Sequence, residues 1–236
     1  GNAGVLRRLI ARAGEPFVRQ AVGAAMKMMG EIFVMGRTID EATRRMKRSE
    51  NRGFTASFDM LGEAARTFAD GRRYFDAYVG AIDAVGEDPA AGHSISVKLS
   101  ALHPRYEVAQ YDRCVPALTE MLEALCVRAA DKGIALTVDA EESERLDMSL
   151  DIIGAVARLP RLKGWDGYGM AVQGYGKRCR PVIGWADALG RETGRRMNVR
   201  LVKGAYWDSE IKRTQEAGLF DYPLFTRKAA TDVSYL

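Results

Sequence analysis

Five short apolar segments alternate with helical segments along this chain, and this alternation is the strongest constraint on its fold. The predicted strands cover residues 54–61, 94–99, 134–138, 168–172 and 197–202. Helical patterns follow each of them, at 70–85, 110–131, 143–158, 181–193 and 209–216, and a last helix is predicted to begin near Thr231. Strands that are mostly apolar throughout and separated by helices are typical of a parallel sheet covered by helices.

The residues that precede the first predicted strand are helical in pattern. Apolar residues recur at helical spacing over 4–30, where Gly14 and Pro16 divide the segment into two pieces. A further helix is predicted over 38–51, because Thr38 and Glu41 have the spacing of a capping box. We therefore expect a helical arm over residues 1–52 and a βα region over residues 53–236.

A polar or charged side chain lies at or near the end of every predicted strand: Asp59, Lys98, Asp139, Gln173 and Arg200. In a barrel these ends converge on one mouth, whereas in a doubly wound sheet only the strands at the switch point meet. No Gly-x-Gly-x-x-Gly follows a strand, so a dinucleotide Rossmann site has no support. We predict an α/β fold of the (βα)8 TIM-like barrel type. The segment covers about five βα units, and we expect the barrel to continue beyond residue 236.

Composition excludes several classes of protein. Among 236 residues, 35 Lys and Arg face 31 Asp and Glu, an excess too small to indicate nucleic-acid binding by itself. No apolar run approaches the length needed to cross a bilayer. The three cysteines have no metal-ligand spacing and an odd count, which favours a reducing compartment. Two histidines are too few for a His-rich metal site.

The segment NVRLVKGAYWDSEIKR at 198–213 predicts a strand that turns into a helix. Gly204 permits a tight exit from the strand, and Asp208 or Ser209 is expected to cap the helix. Cations and aromatic rings gather near the strand end, and together they suit an anionic, flat, conjugated ligand: Arg200, Lys203, Tyr206 and Trp207. The alternative, solvated charges beside packed rings, stays open at this point.

Several blocks, in this order, resemble those of proline dehydrogenases: SVKLSALHPRY at 96–106, DAEE at 139–142, QGYGKR at 173–178, the segment at 198–213, DYPLFTRK at 221–228 and TDVSYL at 231–236. In detail the chain is similar to the bacterial bifunctional type, proline utilization A, from about Gly30 to the last residue. The resemblance implies a distorted (βα)8 barrel that binds FAD noncovalently. It also implies oxidation of L-proline to Δ1-pyrroline-5-carboxylate, with electrons passed to a membrane quinone.

The same resemblance implies a wider context for the chain. A bifunctional parent would carry an NAD-dependent aldehyde dehydrogenase domain that makes glutamate, and some members carry a ribbon-helix-helix module that binds DNA. Neither domain lies in this segment. The expected location is the cytoplasm, with peripheral association to the inner face of the membrane for quinone reduction. A homo-oligomer is compatible with the resemblance, and the sequence does not specify the number of subunits.

Roles toward the flavin follow from the resemblance. Arg200 matches the family arginine near flavin N5, where a fixed guanidinium stabilises negative charge on the reduced ring. Gln173 matches a glutamine on the flavin, and Trp207 a residue of the flavin and substrate pocket. The remaining cofactor positions match residues around the ribityl chain, the phosphates and the adenine: Lys203, Gly204, Thr226 and Lys228.

Roles toward the substrate also follow from the resemblance. Lys98 matches the lysine that helps to bind the substrate carboxylate, and Asp139 an active-site aspartate that we expect to orient Lys98. Tyr206, like Trp207, matches a residue of the flavin and substrate pocket. Glu63 matches a glutamate that is expected to act as a gate by pairing with a substrate-binding arginine. That arginine belongs to the family's eighth helix, which we expect beyond residue 236.

Two other functions remain as alternatives. A barrel lyase could form a Schiff base on Lys98 or Lys203, which requires a lowered lysine pKa. The carboxylates near Lys98 argue against a lowered pKa at that residue. A non-catalytic segment could instead bind nucleic acid through the basic residues at 44–48. Borohydride trapping of a substrate on a lysine would support the first, and a salt-dependent DNA shift the second.

We predict that residues 1–236 expressed alone neither retain FAD nor oxidise proline. The arginine pair of the family's eighth helix, which clamps the proline carboxylate, and the strands that close the barrel belong to later sequence. Absorbance of the purified segment near the flavin bands, with a proline-dependent dye-reduction assay, checks this. Co-purified flavin together with dye reduction would contradict it.

Overall fold

The computed structural model of the chain describes residues 19–20, 22–23, 26, 30, 34–60 and 62–236. Most of the helical segment predicted over 4–30 lies outside the described residues. The chain divides into two compact units, Gly1–Phe54 and Thr55–Leu236. Within the described residues, no helix is both long enough and apolar enough to cross a membrane.

The first unit contains helix α1, Ile39–Met46, and a 3₁₀ helix, Ser49–Asn51. The hydroxyl of Thr38 accepts a hydrogen bond from the N–H of Glu41 at 3.2 Å, so the predicted cap is confirmed. The Glu41 carboxylate accepts from the N–H of Arg37 at 2.9 Å, one residue before the position that a capping box requires. The single helix predicted over 38–51 is therefore two shorter elements.

The second unit contains the sheet and its helices. The strands are β1 Ser57–Asp59, β2 Ser94–Val97, β3 Ala135–Val138, β4 Tyr168–Gln173 and β5 Asn198–Val202. The α-helices are α2 Phe68–Val85, α3 Leu99–Leu102, α4 Tyr111–Asp131, α5 Leu146–Ala157, α6 Cys179–Thr193, α7 Trp207–Glu216 and α8 Lys228–Tyr235. Short 3₁₀ helices lie at Pro89–Ala91, Val108–Gln110, Ser143–Arg145 and Pro160–Leu162.

The five strands are parallel and lie in the order β1-β2-β3-β4-β5. A doubly wound sheet reverses its strand order at a switch point, whereas a barrel adds each new strand beside the last. This succession confirms the predicted α/β fold of the TIM-like barrel type, of which the described residues contain five βα units.

The hydrophobic core lies between the sheet and the helices. One face of the strands supplies side chains that are fully or almost fully buried, among them Ile95, Leu136 and Tyr168. Helix α4 contributes Leu118 and Leu122, both without exposed surface. This layer of aliphatic and aromatic side chains fixes the sheet, and so it fixes the opposite face, where the polar residues lie.

The opposite face of the sheet carries small residues. In the pairing register Ser96 lies beside Thr137, and Thr137 lies beside Gly169. A Cβ atom built on Gly169 would lie 2.7 Å from the backbone oxygen of Asn198, so glycine is needed for this close approach. Small side chains leave room inside the curved sheet for a long side chain from a more distant strand.

One contact across this face shows that the sheet curls. Arg200 on β5 donates from Nη1 to the hydroxyl of Ser96 on β2 at 2.7 Å. In a flat sheet the two strands, three steps apart, would be separated by roughly 14 Å, more than the two side chains span together. The sheet must therefore bend toward closure, as it does in a barrel.

The structure corrects several predicted boundaries. Strand β1 covers three residues instead of the eight predicted over 54–61, and helix α8 begins three residues before Thr231. Helix α7 begins at Trp207, its N-cap is Tyr206, and no side-chain cap bond forms there. The predicted caps Asp208 and Ser209 are wrong: Ser209 donates its hydroxyl to the backbone oxygen of Tyr206 at 2.9 Å, inside the first turn.

The core predicts a clear difference between two apolar truncations. Leu122→Ala removes a fully buried side chain and is expected to lower the free energy of unfolding by about 2–5 kcal/mol. Val108→Ala changes a side chain that is 58% exposed and is expected to stay within about 0.5 kcal/mol of the parent. Urea unfolding of both variants checks this, and equal effects would contradict the assignment of the core.

Candidate active site

Four of the predicted strand-end residues meet in one chain of ion pairs. The Lys98 ammonium lies 2.5 Å from Oδ2 of Asp59 and 3.0 Å from Oδ2 of Asp139. The other oxygen of Asp139 accepts a hydrogen bond from Nη2 of Arg200. Asp139 therefore bridges a lysine from the end of β2 and an arginine from β5, and its side chain is only 11% exposed.

Two serines extend this chain on the Arg200 side. Ser96, which is 1% exposed, accepts from Nη1 of Arg200 and lies 2.8 Å from the hydroxyl of Ser57. The guanidinium is thus held at two nitrogens by groups from two different strands. Within the described part of the chain, these contacts form one polar series in the order Asp59, Lys98, Asp139, Arg200, Ser96 and Ser57.

The lysine in this chain is held in its charged form. Burial disfavours the ammonium, but the hydrogen bonds and charges of Asp59 and Asp139 outweigh it and raise the pKa of Lys98 above its usual value. The backbone N–H of Lys98 donates to the buried hydroxyl of Tyr78 at 3.2 Å, which fixes the residue from behind. At neutral pH Lys98 is a fixed point cation.

This charge state bears on the lyase alternative. A Schiff-base lysine needs a lowered pKa so that its neutral amine can attack. The pKa of Lys203 is also raised, chiefly by its hydrogen bond to Asp232. Both candidate lysines are therefore poor nucleophiles in this arrangement.

Gln173, the fifth strand-end residue, joins two loops instead of the ion pairs. Its Nε2 donates to the backbone oxygen of Glu141 at 2.8 Å, and its Oε1 accepts from the N–H of Ala205 at 3.0 Å. An amide in these two bonds retains one N–H and one acceptor lone pair. Gln173 can thus order the loops after β3 and β5 and still bind a ligand.

Glu141 is a carboxylate whose side chain is only 4% exposed. Its Oε1 accepts from the N–H of Ser100 at 3.0 Å, and its Oε2 lies 3.5 Å from Nη1 of Arg145. Burial raises the pKa of Glu141. The residue ties the loop after β3 to helix α3.

Tyr206 and Glu63 meet across the mouth. The Tyr206 hydroxyl donates to Oε2 of Glu63 at 3.1 Å, and its N–H donates to the hydroxyl of Tyr175 at 3.2 Å. Partial burial and nearby carboxylates raise the pKa of Tyr206, so the phenol stays protonated. Ala64, next to Glu63, has a φ of 55° and donates its N–H to the hydroxyl of Ser100.

The predicted phosphate-side residues lie around one aspartate. Lys203 and Lys228 both contact Asp232, at 2.5 Å and 2.6 Å. The Lys203 ammonium also lies 5.8 Å from the centre of the Tyr235 ring. These cations are exposed, and the shared carboxylate holds them near each other at the start of α8.

The remaining predicted residues line the exit from β5. Gly204 has a φ of +139°, and a Cβ atom there would lie 2.4 Å from the Tyr175 ring, so a side chain cannot be accommodated. The Trp207 indole donates to the backbone oxygen of Phe225 at 3.1 Å, and the residue is exposed, at 39%. Thr226, next to Phe225, is exposed.

Three groups of predicted residues emerge. The structure joins Asp59, Lys98, Asp139 and Arg200, and separately Lys203 with Lys228, whereas Glu63 and Tyr206 form their own pair. The residues that sequence reasoning missed are Ser57, Ser96, Glu141 and Asp232. Three of them, Ser96, Glu141 and Asp232, lie in blocks that carry the resemblance, and the alternation of serines in β2 is a further signal that could have indicated Ser96.

A barrel-type parallel sheet with cations fixed at the carboxyl ends of its strands is typical of enzymes and suits an anionic ligand. The sequence profile of the family described as "Proline dehydrogenase" matches residues 42–236. The chain therefore belongs to the proline dehydrogenase family.

Curated and solved relatives agree with this family. The bifunctional protein PutA of Escherichia coli is 49% identical over 98% of this chain, and that of Rhizobium meliloti is 50% identical over 97%. The chain covers only 18% and 19% of these two proteins. A crystal structure of Bradyrhizobium japonicum proline utilization A matches with a TM-score of 0.82 and 52% identity, over 97% of this chain and 24% of that one.

The ion pairs predict a specific change in the charge of Lys98. Asp139→Asn removes one of two carboxylates that oppose the effect of burial, and the pKa of Lys98 is expected to fall by about one unit or more. The rate of amine acetylation at Lys98, followed by mass spectrometry as a function of pH, measures this pKa. Glu63→Gln removes a carboxylate that bonds Tyr206 instead and serves as the control; an unchanged Lys98 pKa in Asp139→Asn would contradict the account.

Proposed function

We propose that this chain is the N-terminal part of a barrel that oxidises L-proline to Δ1-pyrroline-5-carboxylate with FAD as the electron acceptor. In this proposal residues 53–236 supply five βα units and residues 1–52 supply a helical arm. The observation that carries the proposal is the bridging of Lys98 and Arg200 by Asp139 at the mouth of the sheet. Family membership supports the substrate.

The residues present fit a flavin dinucleotide. Lys203 and Lys228 offer two cations for a diphosphate. In the sequence Gly204 follows Lys203, and the exposed Thr226 lies two residues before Lys228. Gln173 retains an acceptor lone pair for a ring edge. The half-exposed ring of Trp207 offers a face for stacking.

When bound, FAD would supply a two-electron acceptor. Proline oxidation to the imine removes two electrons and two protons, one from nitrogen and one from carbon. Arg200 holds a fixed positive charge on this face of the sheet, and such a charge beside a flavin favours its reduced, more negative state. The resemblance assigns Arg200 to this position beside the flavin.

Lys98 is suited to the substrate carboxylate. It is a protonated, half-buried cation that Asp59 and Asp139 hold in one position. We assign Asp139 to orientation instead of proton abstraction, because both of its oxygens already accept hydrogen bonds from cations. The amine proton of proline then leaves to water.

Tyr206 and Glu63 contribute to the rim of the substrate pocket in this proposal. Their hydrogen bond joins the loops after β5 and β1. The raised pKa of Tyr206 keeps the hydroxyl as a donor. A positively charged side chain that approaches Glu63 would compete with Tyr206 for the carboxylate, which is the chemical basis for the expected gate.

The wider reaction is also proposed. We infer that a membrane quinone reoxidises the flavin. Water then opens the imine product to an aldehyde, which a second domain of the full-length protein oxidises with NAD. The bifunctional names of the relatives and the small share of their length that this chain covers support this arrangement. Peripheral membrane association, a homo-oligomer and a DNA-binding module remain proposals of the same kind.

The experiment that tests the function uses the full-length protein. It is expected to purify with FAD and to lose its flavin absorbance when proline is added without oxygen. Arg200→Met is expected to lower the flavin midpoint potential and to slow flavin reduction by roughly tenfold or more, because a fixed positive charge is lost.

Arg191→Met is the matched control. It removes an arginine on α6 that is 80% exposed and paired with Asp187, away from the ion-pair chain. Its potential and reduction rate are expected to equal those of the parent. An Arg200→Met variant with an unchanged reductive half-reaction would contradict the role given to Arg200, and a parent protein without proline-reducible flavin would contradict the function.

A further inference from the structure

The guanidinium of Arg200 is held at two points, and only one of them is a charge. Nη2 donates to Asp139 at the end of β3, and Nη1 donates to Ser96 on β2. A single anchor would leave the guanidinium free to rotate about that hydrogen bond. Two anchors on neighbouring strands fix the plane of the group as well as its position.

The Ser96 hydroxyl has a second hydrogen-bonding partner inside the protein. Ser96 is 1% exposed, so its proton needs a partner inside the protein. Since the arginine can only donate, Ser96 accepts from Arg200, and its hydroxyl also shares a hydrogen bond with that of Ser57, whose Oγ lies 2.8 Å away. A lone pair of Ser96 therefore faces the guanidinium, and Arg200, Ser96 and Ser57 form a short hydrogen-bond network that begins at a charged donor.

The surroundings explain why serine suits this position. Ser96 pairs in register with Asp59 on one side and Thr137 on the other, and Arg200 lies beside Ala171. A larger side chain at 96 would occupy the space through which Arg200 reaches, and an alanine would leave Nη1 without this acceptor. Serine combines a small volume with a fixed acceptor.

We propose that Ser96, with Ser57 behind it, is a positioning residue that fixes the plane of the Arg200 guanidinium for the redox step. The inference rests on the proposed function, since the group to be positioned is the cation assigned to the flavin. Ser96 touches neither substrate nor cofactor in this account. Its effect passes through Arg200 alone.

The test is the reductive half-reaction of the full-length protein that carries Ser96→Ala. Loss of one hydrogen bond to a charged group is expected to slow flavin reduction at saturating proline by roughly tenfold, with the dissociation constant for proline changed less than about threefold. A tenfold change in the two-electron equilibrium corresponds to about 30 mV, and the flavin midpoint potential is expected to fall by about this amount.

Matched variants separate positioning from packing. Ser94→Ala makes the same change two residues earlier on β2 and is expected to leave both rate and potential unchanged. Should Ser96→Ala not fold, Ser96→Cys preserves the volume with a much weaker acceptor and is expected to show the same loss.

The outcomes distinguish this inference from the proposed function. A parent protein with proline-reducible flavin, together with a Ser96→Ala variant that retains parental rate and potential, would overturn the role of Ser96 and leave the function intact. A loss in Ser94→Ala equal to that in Ser96→Ala would also overturn it. A parent protein whose flavin does not respond to proline would instead refute the proposed function.

Discussion

The Asp139 carboxylate is the interaction on which the site depends. One of its oxygens accepts from Lys98 and the other from Arg200, so a single side chain sets the distance between two cations from different strands. The side chains of Asp139 and Lys98 are only 11% and 16% exposed, and these charges are tolerated because each one is paired. The curl of the sheet and the small residues of β3 and β4 make this pairing possible.

The loops around this ion-pair chain are joined by a second layer of bonds. Gln173 links the loops after β3 and β5 through two backbone groups, and Tyr206 links the loops after β5 and β1 through Glu63. The strand ends thus behave as one rim instead of separate loops. A ligand in this mouth would meet cations whose positions are set before it arrives, which lowers the entropic cost of binding.

The sequence predicted the five strands, their parallel arrangement and the convergence of their ends, because apolar periodicity and the polar strand ends are local signals. It misplaced the start of α7, since Asp208 and Ser209 look like caps whereas the helix begins at Trp207, two residues before the predicted start, without a side-chain cap. The shared aspartate at 232 was missed because its partner at 203 is 29 residues away. Ser96 was missed because a strand serine has the same sequence signature as a filler residue.

A double-mutant cycle on the rate of flavin reduction by proline tests the central claim, that Asp139 acts by holding Arg200. The cycle compares Asp139→Asn, Arg200→Met and the double variant of the full-length protein. If the two residues act as a unit, the double variant loses clearly less activation free energy than the sum of the single losses. Strictly additive losses would show that Asp139 and Arg200 act independently, which would contradict the account.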